Sequence, residues 1–121
     1  MKEGKNMKDL TQELTERFYR YIAVPSQSEP NGGTQVPSTK GQWDMAKLLQ
    51  KECEEIGLVD LHLSEHCVLT GRLPARLEPN KKSAPAIGFC AHLDTVDVNL
   101  SPVVHAHTAV SYTHLTLPTK A

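Results

Sequence analysis

Charge of one sign is missing from this chain: 13 Lys+Arg stand against 14 Asp+Glu, a formal net charge of -1 over 121 residues. Neither nucleic acid nor an acidic membrane surface has a field to be drawn by. Long apolar runs are missing too. None approaches the ~20 residues of a membrane helix, and the opening MKEGKNMK is too polar for a secretory signal, so the expected setting is the cytoplasm, with no membrane or nucleic-acid partner. Cysteine is scarce: Cys53, Cys67 and Cys90 are odd in number and show no C-x-x-C spacing. A disulfide framework and a thiolate zinc knuckle are thereby excluded, and buried or half-buried free thiols are expected. Internal repeats and low-complexity tracts are absent as well. What is present, 39% hydrophobic, 5% aromatic and 22% charged residues, suits a single soluble globular domain with a core of its own.

The opening MKEGKN carries no apolar periodicity and is expected to be frayed, with Met7 an equally good start. Leu10, Leu14, Phe18, Tyr21 and Ile22 then recur at three and four, which predicts an amphipathic helix ending before Pro25 and needing a partner for its apolar face. Residues 25–38, PSQSEPNGGTQVPS, hold three prolines and two glycines and read as a loop. That loop can approach a substrate, although nothing in its pattern places it. A second helix follows. Thr39 and Gln42 have capping-box spacing, Trp43, Ala46, Leu49, Cys53 and Ile56 share one face, and Gly57 suits the C-terminal cap. The period then changes to two at Val59, Leu61 and Leu63, a half-buried strand, and Ser64-Glu65-His66 turns it into a second strand over Cys67 to Leu73. Pro74 to Ser83 reads as an exposed connection. The run Ala84 to Ala91 has no alternation and predicts a strand covered on both faces. The fold class is therefore α/β, two helices packed on a mixed β-sheet, with the visible sheet too small to cover both helices and the domain incomplete.

Chemistry concentrates where that last run ends, in Ala91-His92-Leu93-Asp94-Thr95. A period of two sets His92 and Asp94 on one face at the C-terminal end of a strand, where open α/β sheets carry their sites. His92 can ligate a divalent metal through a neutral imidazole, and Asp94 can orient it; a histidine bonded to a carboxylate for structural reasons alone has the same sequence. The other polar groups read more simply. Glu54-Glu55 lies opposite the apolar stripe of its helix and reads as a solvated face. His105-x-His107 has no carboxylate following it and reads as a surface loop, His62 and His66 alternate to the exposed side of the hairpin, and Trp43 belongs to the core.

Four segments, TERFYRYIAVPSQS, QVPSTKGQWDMAKLLQKECEEIGL, LSEHCVLTGRLPA and PAIGFCAHLDT, resemble in this order and spacing the N-terminal part of the peptidase T family, over roughly residues 14–99. These are tripeptide aminopeptidases within the zinc-dependent exopeptidases and deacylases that also include aminoacylases. The joint occurrence of VPST-x-GQW and IGF-x-x-H-x-DT carries the resemblance. It implies that His92 is a metal ligand at one of two zinc ions, that Asp94 is an active-site residue orienting it, and that the substrate is a tripeptide losing its N-terminal residue. The family's general-base glutamate and remaining metal ligands lie farther along its chain than this sequence reaches. Residues 1–109 are accordingly expected to be the N-terminal portion of a metallopeptidase catalytic domain, inactive alone. Residues 110–121, VSYTHLTLPTKA, resemble a translated sequencing adaptor and are expected to be a non-native tail. Two alternatives stay open: a short non-catalytic binding domain on the same α/β unit, and a dipeptidase or aminoacylase of the wider superfamily.

Overall fold

A computed structural model describes residues 7–109; the expectations for the frayed start and for the tail at 110–121 fall outside these residues. The three- and four-residue spacing becomes α1, Met7–Ile22, with Asp9 in its first turn and Arg20 in its last, each at the favourable end of the helix dipole. Pro25 disfavours helical geometry at Val24, and α1 stops before it. Its stripe is not covered by the described residues, for Leu10, Leu14 and Phe18 remain 47 to 57% exposed.

The second helix, α2, spans Lys40–Glu55 and opens with the expected capping box. The Thr39 N–H donates to Gln42 Oε1 at 3.2 Å, while the Thr39 hydroxyl donates to the Gln27 carbonyl at 2.8 Å and so ties the preceding loop to the helix start. Gly57, at φ 93°, takes the left-handed conformation that closes the helix. The chain then forms β1, Val59–Leu63, and β2, Leu69–Arg72, an antiparallel hairpin pairing His62 with Thr70 and Leu63 with Leu69. A register irregularity lies between Val59 and His62, where Asp60 has φ 53°. The hairpin packs on α2. Met45, Ala46 and Cys67 are buried there, and the Cys67 thiol donates to the Gln42 carbonyl at 3.4 Å.

Several expectations are corrected. Among the described residues the sheet is two-stranded and antiparallel, not mixed, and its one parallel feature is an isolated bridge between Gln27 and Thr95. Among the described residues the helix that packs on the sheet is α2. The run Ala84 to Ala91 forms no strand, and Ile87 and Phe89 are 78% and 96% exposed. An unalternating run becomes a covered strand only when neighbours pair with both of its edges, and none of the described residues does so. For the same reason Cys90 is exposed, whereas Cys53 is half-buried and Cys67 buried.

Helix α1 is fastened to α2 through one carboxylate. Glu52 is 7% exposed and accepts hydrogen bonds from Arg20 Nε at 2.5 Å, from Arg17 Nη1 at 3.3 Å and from the Tyr21 hydroxyl. Burial by itself would raise the Glu52 carboxyl, but hydrogen bonds from Arg20 and Tyr21 and the charges of Arg20 and Arg17 outweigh it and hold the group below the usual carboxylate range. A carboxyl with a depressed folded pKa stabilises the fold above its unfolded value, about 4.3, and that contribution is lost as pH falls through the folded value. Hydrogen-exchange protection of the α1 amides, corrected for intrinsic rates, should therefore fall on acidification below about pH 4.3. In Glu52→Gln it should be low already at neutral pH and show no such fall. Flat protection in the parent chain would contradict this account.

At the start of α2 the backbones come very close. A β-carbon built on Gly41 would lie 1.9 Å from the Pro25 carbonyl oxygen. That contact is with backbone and cannot be relieved by a rotamer change. Gly41→Ala should lower stability by about 1–3 kcal/mol through overpacking, even though alanine favours helix over glycine by up to about 1 kcal/mol. An unchanged or raised melting temperature would show that the loop yields freely.

Candidate functional site

Residues 25–28, seated on the N-terminus of α2, meet the segment that carries His92 and Asp94. The Ser28 N–H donates to the Thr95 carbonyl at 3.0 Å, and the Thr95 N–H donates to the Ser26 carbonyl at 3.2 Å, which makes the bridge between Gln27 and Thr95. The next turn of the loop is anchored as well, Glu29 N–H donating to Ser38 Oγ at 2.9 Å. Two stretches of chain almost seventy positions apart are thus joined by backbone bonds next to Asp94.

His92 and Asp94 are brought together, as the alternation implied, although their segment forms no strand. His92 Nδ1 lies 3.1 Å from Asp94 Oδ1 and 2.7 Å from the Asp94 carbonyl oxygen. Both are acceptors only, so the neutral imidazole carries its proton on Nδ1 and leaves Nε2 with a bare lone pair. Nε2 has no protein partner among the described residues, and the His92 side chain is 81% exposed. Asp94 is half-buried. A hydrogen bond from Ser28, together with those from His92 and from its own backbone, holds the Asp94 carboxyl below the ordinary carboxylate range, against the opposing pull of partial burial.

The pair sits on the wall of an open cleft of about 630 Å³, whose other walls come from Gln35 to Ser38, from Gln42, and from His66 to Thr70 at the hairpin turn. The cis Val36-Pro37 bond lies in the first of these walls. The loop that the sequence could not place therefore contributes to the cleft at its far end and to the backbone clasp at its near end. His66, given no role by its alternation, is exposed and lines the cleft, while His62 is exposed away from it. Glu54, Glu55, His105 and His107 are exposed. Trp43 is half-buried, in keeping with a packing role. Ser28 was missed, and its only sequence signal was a small polar residue in a proline-bounded loop.

The donor set can be tested against a metal. An imidazole whose Nδ1 is held by a carboxylate and whose Nε2 is bare fits one ligand position with its orienting partner. A catalytic zinc takes three protein ligands. Among the described residues no group of three or more His, Cys, Asp and Glu side chains is close enough to hold a metal ion. The fit is to a single ligand position.

No family model matches the chain. Individual relatives do. It is 48% identical to a peptidase T-like protein of Yersinia pestis over 96 residues, 79% of this chain and 22% of the relative. It is 45% identical to a peptidase T of Geobacillus thermodenitrificans over 86 residues, 71% of this chain and 20% of the relative. A peptidase T-like protein of Rhizobium meliloti is 49% identical over 94 residues, 77% of this chain and 22% of the relative. Over its matched stretch the chain is similar to proteins named peptidase T or peptidase T-like. It spans about a fifth of the length of these curated relatives. This similarity agrees with the resemblance carried by VPST-x-GQW and IGF-x-x-H-x-DT, and the structure gives the first of these motifs a physical role: Thr39 and Gly41 seat the loop that clasps the second. No helix among the described residues is long and apolar enough to cross a membrane.

The geometry at His92 has a direct spectroscopic consequence. In the neutral ring the proton should reside on Nδ1, and nitrogen-15 shifts of the imidazole should report a bare Nε2. A ring protonated on Nε2 would remove the ligand geometry described above.

Proposed function

We propose that this chain carries the opening portion of the active site of a cytoplasmic, zinc-dependent tripeptide aminopeptidase of the peptidase T type. In this reading residues 1–109 belong to the catalytic domain and 110–121 to a non-native tail. His92 is one metal ligand through Nε2. Asp94 holds the imidazole in the matching tautomer and raises its basicity. Zinc, when bound in such a two-metal site, supplies Lewis-acid activation of water and of the peptide carbonyl. The chain's own contribution is positional: Asp94 accepts from Nδ1, the backbone clasp at Thr95 holds the segment that carries Asp94, and Gln35–Ser38 and the hairpin turn line the same cleft as His92. The observation that carries the reading is the bare Nε2 of a carboxylate-held histidine on a cleft wall. The three free cysteines are compatible with a reducing compartment. With a single ligand position filled, the chain by itself is expected to show no peptidase activity.

A chimera tests this. The matched N-terminal segment of the Geobacillus thermodenitrificans peptidase T is replaced by the aligned residues of this chain, and release of the N-terminal residue from a tripeptide is followed with and without chelator. The chimera should be active and lose activity on chelation. His92→Ala should abolish the activity, and Asp94→Ala should lower zinc affinity or activity about 10–100-fold. A folded chimera that is inactive, or one indifferent to His92→Ala, would refute the proposal.

A further inference from the structure

We infer that residues 84–91 are a docking strand for the part of a peptidase T chain that lies outside the matched stretch, and that this chain takes up that part in trans, as a separate polypeptide. The inference rests on the reading of residues 1–109 as the opening portion of a peptidase T-type catalytic domain. It adds which surface receives the remainder, and that no covalent link is needed.

The run Ala84 to Ala91 contains no charged residue. Among the described residues it forms no strand and exchanges no backbone hydrogen bond with another segment, so both of its edges are open. Ile87 and Phe89 are almost fully exposed. Exposed strand edges are ordinarily guarded by lysine, by inward charges, by bulges or by proline. Pro85 is the one such residue here, and Ile87 to Ala91 has none. A run of this kind suits the interior of a sheet, paired on both edges and covered on both faces. Its C-terminal end is already fixed, because the clasp of Ser26 and Ser28 with Thr95 lies just beyond it. Tethering one end lowers the ordering cost of pairing.

The area left uncovered points to the occupant. The whole chain exposes 11013 Å², against about 6,500 Å² for a compact monomer of 13.4 kDa. With the residues outside 7–109 given the full exposure of an unfolded chain, about 1.45 Å² per dalton, the described residues still exceed the compact value by roughly 2,000 Å². A standard interface takes about 800 Å² from each partner. A second copy of this chain meets a further obstacle. Related by a two-fold axis, the run pairs with its own counterpart along one edge and the other edge stays open. A partner that brings a strand to each edge leaves none. The stripe of Leu10, Leu14 and Phe18 on α1 is a further uncovered face. The relatives have the chain length for such a partner, since this chain spans about a fifth of each.

Cutting the chimera tests the inference. The chimera of this chain with the Geobacillus thermodenitrificans peptidase T is made with a protease site at the junction and cleaved after folding. The two pieces should stay together on size-exclusion chromatography. Amides of residues 86–91 should exchange with deuterium more than about 100-fold more slowly than in this chain alone. Ile87→Asp should let the cut pieces separate, while in this chain alone it should leave exchange of the hairpin amides unchanged. Separation of the parent pieces on cutting, or equally fast exchange at residues 86–91, would overturn the inference, as would a chimera that does not fold. So would a discrete dimer of this chain alone that slows the same amides to the same extent, because a second copy would then be the occupant. Cut pieces that stay together without peptidase activity would defeat the zinc-peptidase reading and leave the docking strand standing. An active chimera whose pieces part on cutting would do the reverse.

Discussion

Everything placed near His92 depends on a short backbone clasp: Ser28 and Thr95 exchange N–H and C=O bonds with each other's strand of chain, and the loop half of that clasp is seated on the first turn of α2. Two backbone hydrogen bonds are a small quantity of free energy, of order 1 kcal/mol each. They count here because of what they join. The run Ala84 to Ala91 makes no ladder with any described strand, so the backbone bonds just beyond it are those of the clasp; farther along, the chain touches α1 through Tyr19 and Thr108. Gly41 permits the approach, Thr39 holds Gln27, and Ser28 bonds the Thr95 carbonyl. Each of these is a small residue doing a task that a larger one would obstruct.

The molecule has a second junction of a different character. Helix α1 meets α2 through Glu52 and its three donors rather than through apolar packing, and the residues that should have packed, Leu10, Leu14 and Phe18, stay largely exposed. A buried carboxylate among two guanidinium groups and a phenol is directional and holds a fixed geometry, but its net worth is reduced by desolvation of the charges. Arg20 is also substantially exposed, which screens its share further. Exposed apolar side chains on α1 and on residues 84–104 are more than a well-covered small domain displays. Apolar burial is concentrated instead between α2 and the hairpin, at Met45, Ala46 and Cys67.

Local elements were legible in the sequence because their causes are local. The spacing of Leu10, Leu14 and Phe18 gave α1, the pairing of Thr39 with Gln42 opened α2, Gly57 closed it, and alternation at Val59, Leu61 and Leu63 marked β1. The same alternation set His92 and Asp94 side by side, and the structure keeps them within hydrogen-bond reach. Strand formation over Ala84 to Ala91 was misread for a definite reason. Apolar character reports that a segment suits the interior of a sheet, while a strand exists only when other strands bond to it. The burial of Glu52 was equally hidden, since its neighbours Glu54 and Glu55 are chemically alike and lie exposed, and what singles it out is the position of Arg17, Arg20 and Tyr21 across the helix junction.

By itself the sequence determined the two helices, the hairpin, the adjacency of His92 to Asp94 and, through its motifs, the peptidase T resemblance. These follow from side-chain periodicity, caps and spacings of a few residues, all of which are written in order along the chain. Tertiary structure decided that Ser28 belongs against Thr95, that the Gln35–Ser38 stretch and the hairpin turn share a cleft with His92, and that one carboxylate of α2 gathers the basic face of α1. Contacts between residues 28 and 95 or 17 and 52 leave no period in the sequence, because they arise where independently formed elements meet, and their partners are selected by distance in space rather than by separation along the chain.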